Sequence, residues 1–225
     1  MEKPEILLWS ATDEQKAASN LQLFYDWLSE AVGLHFSQYD ELYEWSVNQP
    51  AAFWESVLKY FEIQYSGTYQ NVMSDDSMPG TKWFEGVKLN YAEHVFRNQT
   101  KDFPAIIAHD ETRNTREIEW SYLSAQVSSL QTIFKASGLN VGDRICAYAG
   151  NLPETSAAML ACIASGFVWS SCSPDFGANS VLDRFSQIEP VILIAVDGYS
   201  YQGNYFDRRK EVLQMVEQIK SIRLI

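Results

Sequence analysis

A run of small hydroxyl side chains, a thiol, a proline and a carboxylate follows an apolar segment in "WSSCSPDFG", Trp169–Gly177. Two further polar stretches also follow apolar segments, "GNLPE" (Gly150–Glu154) and "DGYSYQGNYF" (Asp197–Phe206). Ligands of open parallel sheets bind outside the carboxyl ends of the strands, next to the N-termini of the following helices. The three loops are therefore a candidate binding edge. The residues alone leave open the alternative that proline and glycine only turn the chain there.

The segments around these loops alternate between strand-like and helix-like patterns. The predicted strands are 144–149, "FVWSS", "PVILIAV" and "SIRLI". The predicted helices between them run from Asn151 or Pro153 to about Ser165, from Ser180 to Ile188, and from Arg208 to Lys220. This alternation predicts right-handed crossovers and an α/β fold with a doubly wound parallel sheet. The sheet is expected to be incomplete at the C-terminus, because no helix follows the last strand.

The first half of the chain predicts a helical lead-in followed by a β-hairpin. Its expected features are a capping box at Ser10 and Asp13, a helix ending at Gly33, a second helix from Ser37 and Asp40, a third with Pro50 in its first turn, a helix from about Leu89, a hairpin from Ala105, and a helix from Ser121 to Gly138. The predicted domains are a helical region over 1–75, a linker and helix over 76–104, and a truncated α/β subdomain over 105–225. We therefore expect the front part of a longer protein.

Composition excludes several classes of protein. The formal net charge is −12, which argues against nucleic-acid binding. No apolar run approaches the roughly 18 residues of a membrane span, and the first residues lack the pattern of a signal peptide, so a cytoplasmic location is expected. Cys146, Cys162 and Cys172 lack metal-ligand spacing and are expected to be buried, reduced thiols.

Standard catalytic motifs are absent from the sequence, including GxGxxG, GxxxxGK[ST], HExxH and GxSxG. The three histidines, His35, His94 and His109, are scattered and are expected to be surface or packing residues. Asp75 and Asp76 lie in a Ser/Gly/Pro-rich loop, where adjacent carboxylates are usually solvated. No catalytic residue and no metal site are predicted.

The segment "VGDRICAYAGNLPETSAAMLACIASGFVWSSCSPDFGANSVLDRFSQIEPVILIAVDGY" resembles the acyl-CoA synthetases of the adenylate-forming superfamily. The stretches "WSSCSPDFG", "VLDRFSQIEP" and "MPGTKWFEGVKLNYAEHVFR" are similar to its acetoacetate-activating members. The resemblance implies a ligase that uses ATP with Mg²⁺ to form an acyl-adenylate and then transfers the acyl group to coenzyme A. Acetoacetate is the expected acid, and acetate or propionate are the alternatives.

The resemblance also implies which parts of the enzyme are present. In that superfamily the ATP phosphate loop, the acyl pocket and the catalytic lysine lie downstream of the matching segment. The 225 residues alone are therefore expected to be inactive and to bind neither ATP nor coenzyme A tightly. A non-catalytic binding module derived from such an enzyme is the second hypothesis. Self-association through an exposed flank of the sheet is also expected.

The candidate binding residues come from the same resemblance. Ser173, Pro174 and Asp175 would line the path of coenzyme A, and the positions that hold its phosphates would fall near Ser200, Tyr201 and Asn204. No Arg or Lys lies between Asp197 and Phe206, so Arg208, Arg209 and Lys210 are the nearest basic residues. Asp175 has a second interpretation, in which it bonds backbone N–H groups of its own turn. Phe176 is expected to anchor the loop in the core.

Overall fold

The computed structural model describes residues 8–75, 77–111 and 114–225, which form two units divided between Leu89 and Asn90. The division falls inside the segment 76–104 that the sequence predicts to be a linker and helix. The helices of the first unit are α1 (Asp13–Ala17), α2 (Asn20–Trp27), α3 (Tyr39–Asn48) and α4 (Pro50–Tyr60), and its strands are β1 (Ser66–Gly67) and β2 (Val87–Lys88). A π-helical turn, Leu28–Val32, extends α2.

The helices of the first unit begin and end close to the predicted positions. The capping box is formed by Thr12 and Gln15 rather than by Ser10 and Asp13, because the Thr12 hydroxyl accepts the Gln15 N–H and the Gln15 side chain accepts the Thr12 N–H. Gly33 ends the π-helical turn in the left-handed conformation, as predicted. Pro50 occupies the first turn of α4, which confirms the predicted helix start.

Aromatic packing holds the first unit together. Phe24 lies 4.9 Å from Tyr60 between ring centroids, and Trp45 lies 5.4 Å from Phe36 and 5.8 Å from Phe53. Phe24 and Trp45 are buried with Leu28 and Leu42 in one cluster. The aromatic residues of this cluster therefore serve packing.

The second unit contains a hairpin, a parallel sheet and the helices that cover it. Its helices are α5 (Tyr91–Phe96), α6 (Trp120–Ala136), α7 (Pro153–Ala164), α8 (Ala178–Ser186) and α9 (Arg209–Gln218), and its strands are β3 (Ile106–His109), β4 (Thr115–Ile118), β5 (Arg144–Tyr148), β6 (Val168–Cys172), β7 (Ile192–Ala195), β8 (Gly198–Tyr201) and β9 (Asn204–Asp207). The strands β3 and β4 pair antiparallel, which confirms the hairpin predicted from Ala105.

The central sheet is parallel and has the strand order β6-β5-β7. Its middle strand is buried on both faces, as expected of a central parallel strand. Ile145 packs in a cluster with residues of α6 and α7, whereas Cys146 and Tyr148 pack in a second cluster with residues of α8 and α9. Helices therefore cover both faces of the sheet, and the predicted doubly wound α/β fold is confirmed.

The three cysteines are buried and unpaired by disulfides, as predicted. Burial raises the pKa of the Cys146 and Cys162 thiols to about 12. Cys162 belongs to the row of small residues through which α7 approaches the sheet, together with Ala157, Ala158 and Ala161. These thiols are packing residues and not nucleophiles.

Two predicted elements differ from the structure. The segment "SIRLI" makes only one parallel bridge, between Leu224 and Ile192, instead of a full fourth strand. The segment Asp197–Phe206 is not an irregular loop, because most of it forms the β8–β9 hairpin. Gln202 and Gly203 make its two-residue turn with φ of 49° and 75°, the positive values that such turns require.

In the described part of the chain, every helix falls short of the length and apolar character that a bilayer crossing would require.

Replacement of Phe185 by alanine is expected to lower the free energy of unfolding by about 3–5 kcal/mol, because the ring is fully buried between the sheet and α9. The measurement is urea denaturation followed by circular dichroism. Phe103→Ala is the control, since Phe103 is 71% exposed and should change the value by less than about 0.5 kcal/mol. Equal effects of the two substitutions would contradict the assigned core.

Candidate functional site at the edge of the sheet

The carboxyl ends of β5, β6 and β7 lie at one edge of the sheet, because the three strands are parallel neighbours. Polar segments follow each strand at this edge. Gly150–Leu152 leads from β5 into α7, Ser173–Gly177 leads from β6 into α8, and the β8–β9 hairpin follows β7. The structure thus brings together the three segments that the sequence identifies as candidate binding loops.

Tyr148 is the last residue of β5, and its side chain is fully buried. Its hydroxyl has one proton, which is shared between two acceptors at 2.9 Å each, the carbonyl oxygens of Pro174 and Phe176. Burial raises the pKa of Tyr148, so the neutral hydroxyl is retained as a donor. The central strand therefore holds the backbone of the Ser173–Gly177 loop. Sequence reasoning missed this residue, although a tyrosine at the end of a buried strand needs a partner for its hydroxyl.

Arg208 joins the same loop to the hairpin and to α9. Its Nε donates to the Pro174 carbonyl oxygen at 2.7 Å, its Nη1 donates to Glu211 Oε1 at 3.1 Å, and its Nη2 donates to the Tyr199 hydroxyl at 3.3 Å. The guanidinium also lies 5.3 Å from the centre of the Tyr199 ring. The hydrogen bond to Tyr199 raises the pKa of Arg208 above its ordinary value. The cation is thus held by three elements at once.

The side chains of the Ser173–Gly177 loop divide between the core and the solvent. Pro174 is buried, whereas Ser173 and Asp175 are exposed. The Asp175 carboxylate accepts no hydrogen bond from any residue that the structure describes, so the predicted contact with its own turn is wrong. The prediction for Phe176 is also wrong, because its ring is 42% exposed and lies 5.0 Å from the Arg184 guanidinium. Tyr148 anchors the loop through backbone carbonyls instead.

The hairpin presents the remaining candidate residues to solvent. Ser200, Tyr201 and Asn204 are all exposed. Tyr201 pairs with Asn204 next to the turn, whereas Ser200 pairs with Tyr205. Since successive side chains of a strand point to opposite faces, Tyr201 and Asn204 share one face and Ser200 lies on the other.

Two further basic residues follow the hairpin. The Arg209 Nε donates to both carboxylate oxygens of Asp207, at 3.1 and 3.0 Å. This contact lowers the pKa of Asp207 to about 2. Lys210 borders a polar cavity of about 350 Å³ beside the loop, whose other lining residues are Gly177, Ala178, Asn179, Ser180, Glu211 and Gln214.

His35 and Asp75 belong to the first unit, whereas His94 and His109 belong to α5 and β3 of the second unit. The His35 ring bonds Ser29 at 2.8 Å and the His109 ring bonds Thr115 at 2.9 Å, while His94 lies on α5. Asp75 is exposed and accepts the Ser77 N–H at 3.0 Å, as expected of a loop carboxylate, whereas Asp76 lies outside the described residues.

Two models of known protein families match the chain. The family model for AMP-binding enzymes matches residues 93–224, more than half of the chain. The chain belongs to the AMP-binding enzyme family. A second model, the N-terminus of acetyl-coenzyme A synthetase, matches residues 39–95. These matches confirm the resemblance inferred from the loops.

Within the AMP-binding enzymes, the chain is similar to acetoacetyl-CoA synthetases. It is 37% identical to that of Rhizobium meliloti (strain 1021) over 97% of this chain and 33% of the relative, and 32% identical to that of Macaca fascicularis over 99% of this chain and 34% of the relative. The structure matches acetoacetyl-CoA synthetase from Streptomyces lividans with a TM-score of 0.92 and 40% identity, over 96% of this chain and 34% of that one. The chain therefore spans about a third of the length of the relatives it matches.

The carboxyl group of Asp207 is expected to titrate near pH 2 in a ¹³C NMR experiment, because Arg209 stabilises its charged form. The folded-state pKa lies below the ordinary value of 3.8, so any stability from this pair is present above about pH 4 and is lost as the pH falls through about 2. Arg209→Ala should move the titration toward pH 3.8, and Arg116→Ala, which removes a cation from a different ion pair, should not. A titration near pH 3.8 in the unmodified protein would contradict the contact.

Proposed function

We propose that the complete protein is an AMP-forming acetoacetate–CoA ligase. In the first step the acetoacetate carboxylate attacks the α-phosphorus of ATP, which gives acetoacetyl-adenylate and releases pyrophosphate. In the second step the thiol sulfur of coenzyme A attacks the acyl carbon, a thioester forms, the thiol proton is released, and AMP leaves. The proposal covers ATP, acetoacetate and coenzyme A as the small-molecule partners.

The observation that carries this proposal is the similarity to acetoacetyl-CoA synthetases along nearly the whole chain, at 37% identity in sequence and a TM-score of 0.92 in structure. The similarity includes the central sheet and its loops, which lie inside the match to AMP-binding enzymes. Because the chain spans only a third of those relatives, we propose the reaction for the complete protein and expect the 225 residues alone to be inactive.

We propose that this chain contributes the coenzyme A side of the site. Ser173, Pro174 and Asp175 would border the path of the pantetheine arm, and the hairpin would face the nucleotide end of the coenzyme. The residues proposed for that end are Ser200, Tyr201, Asn204, Arg208 and Arg209. Exposed hydroxyl and amide groups on the hairpin, with the exposed Arg209 guanidinium at its base, provide the donors that phosphate and ribose oxygens require. Arg208 belongs to the same end of the site through its contact with the Pro174 carbonyl.

Mg²⁺ is proposed to bind to the phosphates of ATP, whose negative charge it would neutralise. In the described part of the chain, no three His, Cys, Asp or Glu side chains come together as metal ligands. No step of the reaction is therefore assigned to a metal held by these residues.

We also propose a cytoplasmic location, and self-association of the chain through an exposed flank of the sheet. An apolar groove of about 650 Å³ lies beside the outer strand β7 and includes Ile133, Ile194, Leu224 and Ile225. Such a flank favours association in water when nothing covers it. Sedimentation of the 225-residue chain over a range of concentrations would detect it, and a monomer at every concentration would count against it.

The reaction is tested by acid-dependent exchange of labelled pyrophosphate into ATP, with the complete protein and each of acetoacetate, acetate and propionate. Acetoacetate is expected to support exchange at least about tenfold faster than the others, the discrimination expected from about 1.4 kcal/mol of additional transition-state binding. The 225-residue chain is the control and should show no exchange.

Each other outcome would replace the proposal with a defined alternative. Faster exchange with acetate or propionate would assign a different short-chain acid. No exchange with any acid would remove the catalytic function and favour a non-catalytic binding module.

A further inference from the structure

We infer that Arg208 is a positioning residue for coenzyme A transfer, which acts by fixing the carbonyl of Pro174. We call the contacts of Arg208 and Tyr148 with the Pro174 carbonyl the clamp. The inference rests on the proposed function for its substrate, but the clamp itself is a feature of the described structure. Arg208 and Pro174 are 34 residues apart in sequence, and the Nε–O distance between them is 2.7 Å. The clamp therefore connects the loop after β6 to the start of α9.

The Pro174 carbonyl receives donors from two sides. The Tyr148 hydroxyl approaches from the core at 2.9 Å, and the Arg208 Nε approaches from the hairpin side at 2.7 Å. A carbonyl oxygen has two lone pairs and can accept from both donors, and the Tyr148 proton is shared with the Phe176 carbonyl. The proline ring also restricts φ at this position. The peptide group that joins Pro174 to Asp175 is thus held at its carbonyl oxygen, and rotation about the N–Cα bond of Pro174 is restricted.

This restraint determines where the exposed residues of the loop can lie. Asp175 follows directly after the held carbonyl, and Ser173 precedes the buried proline. Both are proposed to border the coenzyme A path. The conformation of that border therefore depends on a cation that belongs to a different element.

The contacts of Arg208 favour positioning over direct binding of a phosphate. Its side chain is only 20% exposed, whereas that of Arg209 is 72% exposed. Three of the five N–H donors of its guanidinium already bond to Pro174, Glu211 and Tyr199. A direct phosphate contact fits Arg209 better, since that guanidinium lies at the surface.

The clamp also couples the loop to the hairpin. The Tyr199 ring lies under the Arg208 guanidinium and stacks on Phe206 with 5.2 Å between centroids. The backbone N–H of Arg208 donates to the Asp197 carbonyl at 2.7 Å, immediately before β8, and so fixes the residue to the base of the hairpin. Loss of the guanidinium would therefore keep this backbone bond but remove the side-chain link between the hairpin and the loop.

The test compares Arg208→Lys and Arg208→Gln in the complete protein. Lysine preserves the positive charge but lacks the planar fork that reaches a carbonyl, a carboxylate and a hydroxyl together. The first readout is the KM for coenzyme A and the ratio of thioester formation to acetoacetate-dependent pyrophosphate exchange. The second readout, which needs no activity, is amide hydrogen exchange across residues 173–177.

Both variants are expected to raise the KM for coenzyme A and lower that ratio about tenfold, and to speed hydrogen exchange in the loop by a similar factor, as loss of a charge-assisted hydrogen bond would do. Tyr148→Phe removes the other donor and should produce the same pattern. Arg223→Gln is the matched control, because it removes one cation from the opposite edge of the sheet, where Arg223 lies 3.9 Å from Asp143.

Three results would overturn the inference. A lysine variant with normal KM and normal hydrogen exchange would show that only the charge matters. Equal losses in pyrophosphate exchange and thioester formation would show a general effect on folding. Unchanged hydrogen exchange in all the Arg208 variants would show that the loop does not depend on the clamp. If the unmodified protein shows no pyrophosphate exchange, the proposed function fails, and hydrogen exchange still decides whether the clamp exists.

Discussion

The buried hydroxyl of Tyr148 is the constraint on which the candidate site depends. The residue ends a strand that is covered on both faces, so its hydroxyl has no access to bulk water. An unsatisfied buried hydroxyl would cost about 1–3 kcal/mol. The nearest partners are the backbone carbonyls of Pro174 and Phe176. The need to satisfy one polar atom in the core therefore determines the position of a surface loop.

The packing of the sheet allows this arrangement. On one face, the alanines of α7 let the helix lie close to β5, which keeps Ile145 fully buried. On the other face, Phe185 and Met215 fill the space around Cys146 and Tyr148. Because protein interiors are close-packed, the Tyr148 ring has little freedom to move. A rigid strand end is a better anchor for a binding loop than another loop would be.

The sequence predicted the elements and the edge of the sheet because these depend on local patterns. Apolar runs of four to six residues that alternate with helical segments are typical of parallel sheets, and the polar segments after them had to meet at one edge. The β8–β9 hairpin could also be predicted in principle, because Gln202 and Gly203 occupy a two-residue turn between its strands. The polar residues around that turn instead favour a loop.

The contacts within the site could not be predicted in the same way. Arg208 reaches Pro174 across 34 residues, and no periodicity encodes a hydrogen bond between a side chain and a distant carbonyl. The error at Phe176 has the same origin. An aromatic residue in a turn suggests burial, but Tyr148 already anchors the loop, and Phe176 instead lies against Arg184 at the surface.

The distribution of charge indicates how such an edge would recognise a phosphate-bearing ligand. The chain carries a net charge of −12, and two of the three basic residues after the hairpin have acidic partners: Arg209 pairs with Asp207, and Arg208 pairs with Glu211. Long-range attraction of an anion is therefore weak, since the positive charges are largely compensated at distances beyond about one Debye length. Recognition must then depend on the directed donors of the hairpin and the loop at short range. Directed donors are effective only when the backbone that carries them is held in place, which is why the clamp around Pro174 matters more to this edge than the number of its cations.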